Sequence, residues 1–299
     1  MIYTKELLTE YRKKNTNKKA AVLNFLGVGG RDVYNITAPF DLNGQEVIAG
    51  RVESRDDEHS HINLFKEVND SVWEKLDVGI DLALQDPFYT RIDGKIILGG
   101  VEAVFFDNGK AKWRTVFYQL DSISEAYKVF EGPWGMKDLR LKQQADGRIL
   151  VLTRSQGEKG GRGKIGFCII DQFSNLTIQM IEDAPLLSNQ FCDEEWGGGN
   201  EIHQINEDIW ILGHIANFDV DGNRHYYAMS FKVDIENKAM CEAKIIAERR
   251  DFIDGPAKRP DLVDVVFSGG IQLHGERAVL YVGISDAGAQ KIEIENPFK

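Results

Sequence analysis

Short apolar runs, each interrupted by a glycine-containing turn, recur along this chain and define one unit repeated five times. The unit runs polar residue, short strand, Asp-Gly-like turn, apolar strand, polar residue. NITAPFDLNGQEVIAGRVESR opens at Asn35 and turns at Asn43-Gly44, and DPFYTRIDGKIILGGVEA opens at Asp86 and turns at Asp93-Gly94. DLRLKQQADGRILVLTRS opens at Asp138 and turns at Asp146-Gly147. NEIHQINEDIWILGHIAN opens at Asn200 and turns near Glu207-Asp208, and VVFSGGIQLHGERAVLYVGISD turns at His274-Gly275. Helical periodicity is confined to residues 4–14, with residues 71–85 read as one helical turn or a loop.

The turns are about 50, 53, 61 and 67 residues apart. A four-stranded propeller blade needs about 40–50 residues plus loops, so five copies fill the chain. Hairpins such as VFFDNGKAKWRTVFYQL and ANFDVDGNRHYYAMSFKVD supply outer strands. The pattern therefore predicts an all-β, five-bladed β-propeller spanning residues 1–299 as a single domain, with a short N-terminal extension to about residue 20. A β-sandwich with regularly spaced hairpins is the competing architecture.

In a propeller the inner strands surround one channel, so residues at equivalent strand ends converge despite their separation in sequence. The openers Asn35, Asp86, Asp138 and Asn200 should ring one funnel with the strand-closers Arg51, Arg154 and His214. Arg51 falls seven residues after Gly44 and Arg154 seven after Gly147, with His214 at nearly the same offset. One charged strand end is a strand meeting solvent; three in register point to a site. Pro87 fixes its own φ and biases Asp86 toward an extended conformation.

In GPWGMKDLRL, strand alternation sends Asp138 and Arg140 to one face and Lys137 to the other, unless the loop bends. RVESRDDEH points Arg51, Glu53 and Arg55 the same way, a ladder suited to gripping a polar ligand or to mutual pairing. Arginine holds phosphate through a planar fork, and lysine supplies a point charge. Trp196-Gly197-Gly198-Gly199-Asn200 offers either an aromatic platform with close backbone approach or a core aromatic.

Charge and composition narrow the chemistry. The net charge of −11, from 36 Lys+Arg and 47 Asp+Glu, argues against a nucleic-acid partner while leaving room for a local phosphate pocket. Cys168, Cys192 and Cys241 are too sparse and widely spaced for a disulfide framework and suit a reducing compartment, so a cytoplasmic location is expected. No run resembles a signal peptide or a membrane span. GVGG at 27–30 and KGGRG at 159–163 fit neither nucleotide-binding pattern. His59 and His61 in DDEHSH have no distant partners, so no metal is expected.

The stretches RVESR, DPF, KDLR, WGGGNE, DVVFSGG and YVGISDA, in this order and over about residues 20–298, resemble the mannoside phosphorylases of glycoside hydrolase family 130. They are still more similar to the shorter glycosyltransferase family 108. That resemblance implies an inverting enzyme acting at a β-mannosidic linkage, often β-1,2. Phosphate attacks the anomeric carbon to release mannose 1-phosphate, and transfer runs the reaction backwards. The family aspartate falls on Asp86 as general acid, direct or relayed through a sugar hydroxyl.

The implied phosphate clamp falls on Arg51, Lys137, Arg154, His214 and Arg259. By position, Asn35, Glu53, Asp138, Asn200 and Glu201 would contact sugar hydroxyls. Family 130 often reads EDPR where this chain has Gln85-Asp86-Pro87-Phe88, so one arginine of that pattern is missing. The implied partners are a mannose-containing oligosaccharide with phosphate or mannose 1-phosphate. No cofactor is implied beyond phosphate as co-substrate, and a homo-oligomer is compatible with exposed sheet edges. Two other functions stay open: a five-bladed hydrolase with Asp138, Glu201 or Asp286 as second acid, and a propeller that only binds carbohydrate.

Overall fold

A computed structural model describes residues 1–14 and 18–299. The chain opens with helix α1 (Thr4–Lys13) and strand β1 (Lys19–Leu26). A first antiparallel meander follows, made of β2 (Asp32–Tyr34), β3 (Phe40–Leu42), β4 (Gln45–Glu53), β5 (His61–Asn69) and β6 (Val72–Lys75), with β7 (Asp81–Leu82) against β5. The second comprises β8 (Gln85–Ile92), β9 (Lys95–Phe105), β10 (Ala111–Leu120) and β11 (Ala126–Glu131). β12 (Arg140–Gln143), β13 (Ile149–Gln156) and β14 (Gly161–Ile170) form the third.

The fourth is β15 (Trp196–Ile205), β16 (Asp208–Phe218), β17 (Arg224–Asp234) and β18 (Ala239–Ala247). The fifth has β19 (Asp264–His274), β20 (Arg277–Ile284) and β21 (Gly288–Glu295), and β1 completes it by pairing with β21, Lys19 opposite Glu293. Short parallel contacts link β1 to β6 and β17 to β19. The protein is all-β apart from short helices, and among the described residues no helix is long and apolar enough to cross a membrane.

The long strands β4, β9, β13, β16 and β20 are apolar on both faces because each face meets a different neighbour. In β13, Leu150 and Leu152 pack toward the fourth meander while Ile149 and Val151 pack toward the second. The buried side chains form five such clusters. Phe40, Leu64 and Leu98 join meanders one and two; Phe88, Phe117 and Leu139 join two and three; Leu152, Phe167 and Ile211 join three and four. Trp210, Val266 and Leu280 join four and five, and Ile36, Phe65 and Tyr281 join five back to one. Each fully buried Leu or Phe contributes about 1.5–3 kcal/mol, so these seams are the main source of cohesion.

The hairpin turns lie where their residues allow positive φ: Asn43 and Gly44 at 57° and 85°, Asp93 and Gly94 at 51° and 76°. The fourth and fifth turns fall one residue from their expected places, at Asn206-Glu207 and Gly275-Glu276. Residues 71–85 contain no helical turn; they supply β6, a tight turn at Leu76–Gly79 and β7. Helix α1 lays Leu7, Leu8 and Tyr11 against the core between the third and fourth meanders. Its ends are tied down by Thr4 N–H donating to Glu195 at 3.0 Å and by Arg12 pairing with Glu248 at 2.5 Å.

Candidate active site

The ends of the first and second strands meet around a cavity of about 250 Å³. Asn35 precedes β3, Asp86 is the second residue of β8, and Asp138 precedes β12; Arg51, Arg154 and His214 lie on β4, β13 and β16. Lys137, Arg259, Arg224, Tyr226, Glu58, Gln85 and Asp286 complete its polar wall. Arg51, Lys137, Arg154, His214, Arg259, Asp86, Asn35 and Asp138 are thus brought together from as far apart as residues 35 and 259.

The three openers share one backbone device. Asn35, Asp86 and Asp138 have φ of 45°, 50° and 57°, the left-handed region that short Asn and Asp side chains tolerate best. The extended Asp86 expected from Pro87 is therefore not what forms. The β8–β9 ladder shifts register between Gln85 and Phe88, and this bulge turns the Asp86 side chain into the cavity. Arg51 Nη1 at 3.0 Å and Asn35 Nδ2 at 2.7 Å both donate to Asp86 Oδ1 and hold that conformation. Lys137 and Asp138 also reach the cavity together, against strict alternation, because they precede β12 and Asp138 is left-handed.

Two glycines make room for these groups. A Cβ on Gly198 would lie 2.8 Å from Asp138 Oδ2, and one on Gly283 would lie 2.0 Å from Asn35 Oδ1. The WGGGNE motif thus accommodates protein side chains. Its Trp196 is a core aromatic outside the cavity wall, with Nε1 donating to Tyr226 Oη at 2.9 Å.

Electrostatics separate the two aspartates. Burial pushes the Asp86 carboxyl upward, but the charges of Arg51 and Lys137 and the Asn35 hydrogen bond outweigh it, leaving Asp86 below the usual range. Asp138 is buried too, and Arg154 at 3.1 Å and Arg140 at 3.5 Å bring it below that range. Burial lowers His214 to about 4, so the ring is neutral near pH 7. Burial also lowers the Lys137 amine against the pull of Asp86 and Asp138; among the described residues it makes no hydrogen bond or ion pair, and the Trp113 ring lies 5.3 Å away. Asp286, in the β20–β21 turn with φ of 50°, is raised to about 6, chiefly by burial against the pull of Arg51.

Three residues expected at sugar hydroxyls lie outside the cavity wall. Glu53 is buried behind it, accepting from Arg51 Nη2 at 2.5 Å, from Tyr34 Oη at 2.6 Å and from Lys258. Asn200 sits one layer back, its Oδ1 2.8 Å from His214 Nδ1, which fixes the ring. Glu201 faces a separate 230 Å³ cavity with Tyr89 and Arg91, where it accepts from Ile271 N–H at 2.9 Å. The physical reason is a register shift between Gly199 and Glu201, which rotates the end of the motif away. Arg259 lies at the rim, paired with Asp261 at 3.0 Å and Glu58 at 3.5 Å.

Sequence reasoning missed Arg224 and Tyr226 at the start of β17, and Glu58 in the loop after β4; nothing in their local pattern marks them. Among the described residues no group of three or more His, Cys, Asp or Glu is gathered in a way that could hold a metal. His61 instead pairs with Asp81, and His59 packs on Phe105.

A family model described as a protein of unknown function, DUF1861, matches residues 9–299. No curated protein matches the chain. Among solved structures, it is similar to MPT-4, a mannose phosphorylase from Leishmania mexicana solved with phosphate ion, at 31% identity and TM-score 0.91. That match covers 98% of this chain and 93% of the other. It is similar to MPT-1, a GDP-Man-dependent mannosyltransferase from the same organism, at 30% identity and TM-score 0.89, covering 99% and 95%. A β-1,2-mannobiose phosphorylase from Listeria innocua shares the fold at 13% identity and TM-score 0.65, covering 94% and 92%. With these matches along nearly its whole length, the chain belongs to the DUF1861 family and to the group of mannose phosphorylases and mannosyltransferases that the two Leishmania proteins represent.

Proposed function

We propose that this chain is an inverting β-mannoside phosphorylase, working in reverse as a mannosyltransferase, built as a single-domain five-bladed β-propeller with the cavity on its axis. Five successive meanders, with cores joining each to the next and the fifth to the first, support that architecture. The observation that carries the activity is the pairing in one cavity of a restrained carboxyl, Asp86, with a cluster of cations that includes the unpartnered Lys137. The 31% identity to a mannose phosphorylase supports mannose as the sugar, and the motif resemblance implies the β-1,2 linkage.

Phosphate held by Lys137, Arg51, Arg154 and His214 attacks the anomeric carbon on the face opposite the leaving oxygen. The C1–O bond to the aglycone breaks as the C1–O bond to phosphorus forms. The departing oxygen takes a proton that originates on Asp86, directly or through a sugar hydroxyl, and α-mannose 1-phosphate is released. The charges of Arg51 and Lys137 favour the ionised form of Asp86. A bound phosphate dianion cancels those charges, so burial then dominates and Asp86 takes up the proton it must later give. The reading needs no cofactor beyond phosphate. It carries a cytoplasmic location and no nucleic-acid partner, in keeping with three unpaired cysteines and a net charge of −11.

Asp286 favours a second reading. It is a cavity carboxyl without an ion-pair partner among the described residues, and it could activate water for hydrolysis. Incubation with β-1,2-mannobiose, with and without phosphate, separates the two. Phosphorolysis yields mannose 1-phosphate only when phosphate is present; free mannose at equal rates in both arms would replace it with hydrolysis.

A further inference from the structure

The strands that reach the Asp86 cavity line a second one, of about 230 Å³, further along their length. Its wall is made of residues 88–91 on β8, 140–142 on β12, 200–203 on β15 and Ile271 on β19. Asp138 faces the first cavity, and at a rise of about 3.3 Å per residue Lys142 stands up to roughly 13 Å beyond it. Arg140 and Asn200, 4% and 2% exposed, stand between the two cavities. Arg140 lies 3.5 Å from Asp138, and Asn200 Oδ1 lies 2.8 Å from His214 Nδ1. Arg140 Nε donates to the Asn200 carbonyl at 2.8 Å and Nη1 to the Leu139 carbonyl at 3.0 Å, with the guanidinium 3.6 Å from the Phe88 ring.

This wall holds more donors than the protein's own acceptors satisfy. Asn200 uses Oδ1 on His214, and its Nδ2 is buried with no hydrogen-bond partner among the described residues. A buried amide left in that state is destabilising unless something from outside the chain accepts from it. The partly buried Lys142 amine makes no hydrogen bond or ion pair among the described residues. Arg91 gives Nη2 to the Asp41 carbonyl at 2.7 Å and keeps the rest of its fork open. Against these stands one carboxylate, Glu201. Its Oε2 already accepts from Ile271 N–H at 2.9 Å and lies 3.0 Å from His203 Nε2. Three cations around one carboxylate make a positive pocket in a chain whose net charge is −11.

We infer that this second cavity binds a small tetrahedral oxyanion of the phosphate class, held by Lys142, Arg140 and the Asn200 amide. A compact dianion with several acceptor oxygens matches an ammonium, a guanidinium and an amide that converge from different strands. An ion there ties down Asn200 and Arg140, the two residues on which His214 and Asp138 of the first cavity lean. The inference goes beyond the proposed activity and does not depend on it.

Calorimetric titration with inorganic phosphate, in buffer salty enough to screen loose surface binding, compares wild type with Lys142→Met, Lys142→Arg, Arg91→Gln and Lys137→Met. The wild type should take up two phosphates per chain. Lys142→Met should weaken one of them roughly 10- to 100-fold, as expected for one charge-assisted hydrogen bond, and Lys142→Arg should restore it. Arg91→Gln should weaken the same site by less, and Lys137→Met should weaken only the other. Suppose instead that the wild type binds a single phosphate, which Lys142→Met weakens and Lys137→Met does not. The second site then stands, and the phosphate clamp proposed for the first cavity falls. An isotherm that neither Lys142→Met nor Arg91→Gln alters, with both variants folded by urea denaturation, overturns the inference.

Discussion

Two sides of one cavity use the same ingredients to opposite ends. On one side Asp86 meets Arg51 and Asn35 through a single oxygen, with Lys137 nearby and uncommitted. On the other, Asp138 engages Arg154 and Arg140 through both oxygens, while Arg154 Nε also donates to the Gly197 carbonyl at 3.0 Å. The Asp86 side chain is 15% exposed and that of Asp138 8%. A carboxylate braced by two buried arginines cannot release and regain a proton cheaply. One held by a cation that a ligand can neutralise can. The contrast supports the proposal that Asp86 carries the chemistry while Asp138 braces the cavity wall.

The sharpest break of that contrast is Asp86→Asn. It should lower phosphorolysis by ~10²–10⁴ while leaving the unfolding midpoint near wild type, as measured by initial rates and urea denaturation. Asp138→Ala should do the reverse in kind. It leaves two buried guanidinium groups without their counter-ion and should cost about 3–5 kcal/mol in the same denaturation experiment. If the two variants behaved alike, the division between the sides would be lost.

Lys137→Met sharpens the Asp86 side. Removing the unpartnered amine should raise KM for phosphate roughly 10- to 100-fold, the worth of one charge-assisted hydrogen bond. Stability should hold or rise, because burial costs this amine more than the charges of Asp86 and Asp138 return. A fall in stability with unchanged KM would move Lys137 to the structural side.

The smallest effect concerns Asp286. Its carboxyl shifts from the ordinary 3.8 to about 6 in the folded protein, so the native state holds its proton more tightly than the unfolded chain does. That contribution to stability is present below about pH 4 and is lost as pH rises through about 6. Asp286→Asn should flatten this part of the pH profile, read as melting temperature between pH 4.5 and 7. Retention of phosphate-dependent turnover in the same variant would count against the hydrolytic reading.

The repeat was legible in the sequence because alternation and turn chemistry are local. ILVLTRSQ reads as a strand buried on both faces, and Asn43-Gly44 and Asp93-Gly94 read as hairpin turns, as the structure has them. The gathering of Arg51, Arg154 and His214 followed from their common offset within the repeat. The sequence did not betray β1 completing the fifth meander, since pairing Lys19 with Glu293 depends on chain ends meeting in space. Nor could alternation foresee Lys137 and Asp138 sharing a cavity, because it assumes extended backbone where Asp138 is left-handed.

The amino-acid order by itself determined which segments become strands, where they turn and which polar residues sit at strand ends, since these depend on neighbours a few positions away. Tertiary structure alone decided which strand ends face the cavity and how strongly each carboxyl there holds a proton. Glu53 and Asn200 became supports and Glu201 went to a different cavity because bulges and long-range ion pairs rotate side chains after the strands have formed. A carboxyl's proton affinity is likewise the sum of burial and surrounding charge, and both come from residues distant along the chain.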